Sequence, residues 1–206
     1  MTRRSRAAAV VLVAAALVPV AAVRAIAGAP GDAARGGQRR LYLAAYGGMT
    51  VGGFLFEDTD IPRPFVLGCA AGLWLGRLIG VELDVAHSPK FFGDDDWLGT
   101  NHTTTASGHL IAGPVWAIRT HTIRLFLLVG GGVMRSRIEG FGSLGPETKT
   151  QGALDAGGGI IYAPGGRVFV RIEYRHVEGL GGERGAWATV DKWRFDRVTA
   201  GLGLSF

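Results

Sequence analysis

The segment "RVFVRIEYRHV", residues 167–177, decides how this chain folds. Val168, Val170, Ile172 and Tyr174 alternate with Phe169, Arg171, Glu173 and Arg175. A period of two marks a β-strand whose two faces meet different surroundings. One face here is apolar. The other carries charges of both signs. The fold depends on which of them points inward.

The same alternation recurs along the chain. In "GVELDVAHS" (80–88), Val81, Leu83 and Val85 oppose Glu82 and Asp84. Between residues 154 and 162, Leu154, Ala156, Ile160 and Tyr162 oppose Asp155, Gly157 and Gly159. In "RVTAGLGLSF" (197–206), Val198, Ala200, Leu202, Leu204 and Phe206 oppose Arg197, Thr199, Gly201, Gly203 and Ser205. Strand-like runs cover 39–54, 64–75, 78–87, 105–118, 123–137, 151–162, 167–177 and 193–206. No run reads as a helix. The connections between these runs alternate long, short, long, short, long, short, long. Long loops on one side and tight turns on the other predict an up-and-down β-barrel in a membrane, with both termini at the turn end.

A soluble barrel would show the same alternation with its apolar face inward. Three features favour the membrane version. The non-apolar face is rich in glycine (34 of the 206 residues are Gly) and other small residues, as a narrow lumen requires. Its charges are of both signs and can pair across an interior. Trp116, Tyr162 and Phe206 fall on one face at the turn end, as an aromatic girdle requires. Two places resist this reading. "IRLFLLVGGGVM" (123–134) is apolar on both faces, so its register is undecided. Pro114 interrupts the fourth run and predicts a bulge or kink.

The segments "GVELDVAHSPKFFG" (80–93), "GPVWAIRTHTIRLFLLVGGGVMRSRI" (113–138), "GGGIIYAPGGRVFVRIEYR" (157–175) and "RVTAGLGLSF" resemble the eight-stranded outer-membrane β-barrel proteins, the group of the OmpA transmembrane domain and OmpX. The resemblance covers residues 39–206. It implies an all-β, eight-stranded antiparallel barrel, lodged in outer-membrane lipid and inserted by the barrel-assembly machinery. The terminal Leu202, Leu204 and Phe206 match the family's insertion signal. No peptidoglycan-binding domain follows, so a cell-wall anchoring role is not implied.

In a barrel of this size, inward charges enter a lumen filled by side chains. Glu82, Asp84, Asp155, Arg171, Glu173, Arg175 and Arg197 all share the inward face, with Arg40 and Arg124 near the ends. A buried carboxylate left unpaired costs several kcal/mol, so a mixed-sign structural network is expected. A proton path, an ion pore or a catalytic dyad is the competing reading.

Other constellations are weaker. "GDDDW" (93–97) clusters carboxylates that could take a hard cation, but lacks EF-hand spacing. His87, His102, His109, His121 and His176 have no zinc spacing. No nucleophile elbow occurs, and the glycine runs at 130–132 and 157–159 lack the strand–turn–helix setting of a phosphate loop. No cofactor is expected.

The N-terminus reads as a secretory signal: Arg3, Arg4 and Arg6, then the uncharged "AAAVVLVAAALVPVAAV" (7–23), then Ala25-Ile26-Ala27 as cleavage site. The competing reading is a retained anchor. Residues 28–38 read as a flexible leader. Cleavage after Ala27 removes four arginines and no acid, lowering the net charge from +5 to +1. The basicity is therefore largely the signal's and does not argue for nucleic acid. Cys69 is the only cysteine, so no intramolecular disulfide can form.

The expected protein is thus a monomeric outer-membrane barrel with a structural or surface-interaction role and its long loops as contact surface. One alternative is a small barrel enzyme acting on lipid or peptide through loop residues. The other is a soluble periplasmic lipocalin-like carrier, which would point its apolar residues inward.

Overall fold

The computed structural model describes residues 40–56, 59–60, 64–92, 100–139, 147–181 and 194–206. The segments expected to be a signal (1–27) and a leader (28–38), and the acidic "GDDDW" (93–97), lie outside the described residues. Eight long strands make the fold: β1 (Arg40–Phe56), β2 (Phe65–Trp74), β3 (Ile79–Pro89), β4 (Asn101–Ala112), β5 (His121–Ile138), β6 (Glu147–Gly165), β7 (Val168–Gly179) and β8 (Arg194–Ser205). Each pairs antiparallel with its chain neighbours. β8 returns to β1, from Tyr42 opposite Ser205 to Phe54 opposite Arg194, and closes the barrel. Closure leaves no open sheet edge, the condition for a sheet to lie in hydrocarbon.

The stagger fixes the bore. Tyr42 lies opposite Gly72, and the row continues through Glu82, His109, Gly130, Asp155, Val177 and Phe195. It re-enters β1 at Gly53, eleven residues beyond its start, one of them the bulge residue Val51. For strands about 4.7 Å apart, a stagger of about ten residues tilts them by about 40° and sets a backbone radius of about 8 Å. Such a bore is filled by side chains.

The sidedness is unambiguous. Val81, Leu83, Val129, Ile160, Ile172 and Leu202 are exposed, while Glu82, Asp84, Asp155, Arg171 and Arg197 are buried. From Trp116, Tyr162 and Phe206 at the turn end up to Arg135 and Asp196 toward the loop end, the described outward residues include no Asp, Glu, Lys or Arg. An uncharged apolar wall around a charged interior is unfit for water and suited to lipid.

Three local expectations change. β5 takes one register: Phe126, Leu128, Gly130, Gly132 and Met134 face inward. β4 begins at Asn101, β6 at Glu147, and β5 runs on to Ile138, so the barrel wall extends beyond the runs expected at 105–118, 151–162 and 123–137. Pro114 makes an interruption rather than a bulge. β4 stops at Ala112, and Val115–Ile118 resumes the pairing with β5 in the same frame. The neighbouring Gly113 N–H donates to the Leu78 carbonyl at 2.8 Å. The register shifts lie elsewhere: between Thr50 and Gly52, between Tyr162 and Gly165, and between Phe54 and Phe56 where β1 pairs with Thr59–Asp60.

Candidate functional site

The interior consists of three layers. At the loop end, Phe91, Met134, Ala153, Val177 and Phe195 form an apolar cluster. Phe91 follows β3 and is 1% exposed, its ring edge-on to Phe195 at 5.1 Å. The Phe92 N–H, donating to Asn101 Oδ1 at 2.8 Å, ties this segment back to β4. At the turn end, Tyr42, Ala44, Trp74, Ile111, Phe126, Leu128 and Phe169 form a second apolar cluster. The charged layer lies between the two.

That layer is built mainly across the bore from β3 to β7. Arg171 forks onto Glu82, with Nη2 to Oε1 at 3.0 Å and Nη1 to Oε2, and also binds Glu173. Arg175 is the hub. Its Nη1 donates to Asp84 at 3.0 Å, its Nε to Glu173 at 2.7 Å, and its Nη2 lies 2.5 Å from the same carboxylate. It also stands 3.6 Å from Glu82 and 3.7 Å from Asp155. Arg197 on β8 donates to Asp84 at 2.9 Å. Four carboxylates thus surround three guanidiniums. The planar donor fork lets a single arginine serve several of them at once.

The structure therefore brings together Glu82, Asp84, Asp155, Arg171, Glu173, Arg175 and Arg197. It keeps Arg124 out: that guanidinium sits 3.5 Å over the Trp74 ring at the turn end. Arg40 stands at the start of β1, opposite Trp74. Leu202, Leu204 and Phe206 are exposed on the outer wall.

Three members were not expected. His109 lies 2.9 Å from Asp155, 3.2 Å from Arg175 and 3.8 Å from Glu82. Tyr42 and Tyr46 donate their hydroxyls to Glu82 and Asp84. Their rings lie where a Cβ on Gly72 and Gly68 of β2 would stand, so those glycines clear the path from β1 to the carboxylates on β3. The alternation of "LYLAAYGG" (41–48) did place both tyrosines on one face. Tyrosine counts as apolar in such a pattern, however, which hides its hydroxyl. Removing one hydroxyl should be felt: Tyr42→Phe is expected to cost about 1–3 kcal/mol, because Glu82 loses a buried donor. Urea unfolding in lipid vesicles, followed by tryptophan fluorescence, checks this, and an unchanged midpoint would count against the bond.

Chemically, the layer is paired rather than poised. Glu82, Asp84 and Glu173 are held by guanidiniums and tyrosine hydroxyls and Asp155 by His109, while Asp155 Oδ1, His109 Nδ1 and Arg197 Nε have no hydrogen-bond partner among the described residues. An apolar cluster lies on either side of the layer. His102 and His109 lie on opposite faces of β4, so the strand does not aim both at one site. The lipocalin-like reading fails on sidedness, since its apolar residues would have to face inward.

No protein-family model and no curated protein matches this sequence. Solved structures do share the fold. Neisserial surface protein A superposes with a TM-score of 0.57 at 14% identity, covering 84% of this chain and 100% of that one. The N-terminal β-barrel domain of Pseudomonas aeruginosa OprF gives 0.50 at 15% identity, covering 82% and 99%. Ail, the attachment invasion locus protein of Yersinia pestis, gives 0.50 at 19% identity, covering 84% and 100%. Ail is also known in complex with the heparin analogue sucrose octasulfate. The chain is similar to these proteins in fold: a closed, eight-stranded barrel of the outer-membrane type.

Proposed function

We propose that this protein is a monomeric outer-membrane β-barrel with a structural and surface-interaction role, its lumen closed and its contacts made by the loops. The observation that carries this reading is the three-layer interior. The bore is filled by side chains, with a charged layer between two apolar clusters, and the four carboxylates of that layer are engaged by guanidiniums, tyrosine hydroxyls and His109, which argues against an open channel and against a free nucleophile or base. Function then falls to the lipid-facing wall and to the connections at the loop end, residues 57–64, 90–100, 139–146 and 180–193. The surface character of proteins with the same fold supports this, among them Ail with its bound polyanion analogue. The exposed alternation of Leu202, Leu204 and Phe206 on β8 suits recognition by the barrel-assembly machinery.

Two measurements test the reading. The folded protein should fractionate with the outer membrane and migrate differently on SDS gels before and after boiling. Reconstituted in planar bilayers, it should show no stepwise conductance. Recovery in the soluble periplasm would overturn the membrane placement, and reproducible single-channel steps would overturn the closed lumen.

A further inference from the structure

The barrel's turn end carries a pattern of charge that the closed lumen does not use. Three tight connections lie there, and each holds one arginine: Arg77 between β2 and β3, Arg119 between β4 and β5, and Arg167 between β6 and β7. All three are exposed. Among the described residues none of the three has an ion-pair or hydrogen-bond partner for its side chain, and no Asp or Glu occurs in these turns. Every second connection contributes one, so the charges are spread around the rim rather than gathered on one side.

Two further observations concern what surrounds them. Each arginine rises from exposed apolar wall: Leu75 and Leu78 flank Arg77, Trp116 and Ile118 precede Arg119, and Tyr162 and Val168 bracket Arg167. An arginine rooted in a lipid-facing surface extends its guanidinium to the headgroup layer while its stem stays in hydrocarbon. Arg119 also holds φ at 56°, a left-handed conformation that other turns of this barrel give to glycine, as at Gly76 and Gly166. Glycine or asparagine would fill that position at lower conformational cost. An arginine there is thus kept against the backbone's preference.

We infer that the turn-end arginines form a ring of phosphate contacts for anionic glycerophospholipids of the periplasmic leaflet. Guanidinium forks match phosphate oxygens with two parallel donors. A headgroup seated on any of the three leaves its acyl chains lying against the apolar wall directly beside it. That continuity between cation and lipid-facing wall favours a lipid over an acidic protein, which would meet only the turn tips. The inference rests on the membrane placement proposed above.

The test uses the full-length protein folded into vesicles of mixed phosphatidylglycerol and phosphatidylcholine, then examined by native mass spectrometry for co-purified lipid. The wild type should retain phosphatidylglycerol over phosphatidylcholine by about fivefold per engaged arginine, a preference that falls as salt rises. The triple variant R77Q/R119N/R167Q should lose the preference while still shifting on SDS gels. R77K/R119K/R167K, which keeps the charges, should retain part of it. Equal retention of the two lipids by the wild type would overturn the ring, as would an undiminished preference in the uncharged variant. Capture of an acidic periplasmic protein with no lipid preference would assign the arginines to that partner instead and equally overturn it. A wild type that fails to insert into vesicles, seen as an absent gel shift, indicts the membrane placement and is read separately.

Discussion

Replacing Arg175 with methionine is expected to lower the unfolding free energy by about 3–5 kcal/mol, the range for breaking a buried ion pair from one side. The side chain is 1% exposed and touches Glu82, Asp84, Asp155 and Glu173. Methionine keeps much of its volume, so the loss is electrostatic rather than a cavity. It leaves four carboxylates to Arg171, Arg197 and His109. Arg175→Lys should lose less, since the charge stays, but it cannot restore the wild type because an ammonium lacks the planar fork that spans Asp84 and Glu173. Adding Glu173→Gln to Arg175→Met should recover part of the loss, because it removes one of the stranded charges. Reversible denaturant unfolding in vesicles gives all three values. A methionine variant as stable as the wild type would mean that the charged layer is dispensable, and the structural role assigned to it would fall.

How much of this could be read from residues alone follows from what each strand faces. β3, β7 and β8 separate cleanly into an apolar and a polar set, because lipid lies on one side and the charged layer on the other. Their faces, and the seven charged residues they share with β6, were therefore legible. β5 was not. Its inward Phe126 and Leu128 belong to the turn-end apolar cluster, so both of its faces are apolar at that height. The start of β4 failed for the opposite reason. In "NHTTTASGH" (101–109) both faces are polar, with Asn101, Thr103, Thr105, Ser107 and His109 buried. That segment lies beside the loop-end mouth, where the wall has left the apolar zone and alternation carries no signal. Partner identities were also hidden. Which guanidinium meets which carboxylate depends on the stagger around the barrel, a property of all eight pairings together. The Glu82–Arg171 and Asp84–Arg175 contacts join opposite walls and appear in no local pattern.

Leu83→Arg turns the question of sidedness into a sign. Leu83 is 69% exposed at the centre of the outward face of β3, between Val81 and Val85. On a water-facing surface, such a change would alter stability by no more than about 0.5 kcal/mol. At the midplane of a bilayer it should cost about 2–4 kcal/mol, because the guanidinium must reach an interface or draw water toward it. Depth supplies the internal control. Val168→Arg, next to the native Arg167 at the turn end, should cost only about 0–1 kcal/mol. The neighbouring inward position supplies another: Glu82→Leu leaves the lipid face untouched, yet strands Arg171 and the Tyr42 hydroxyl inside the barrel. Unfolding titrations in vesicles should therefore rank Leu83→Arg well above Val168→Arg. Equal and negligible costs at both depths would place water against this wall, and with it the charged layer would have to be reread as the core of a soluble barrel. A gradient that follows depth can arise only if hydrocarbon covers Leu83, since neither position touches the charged interior.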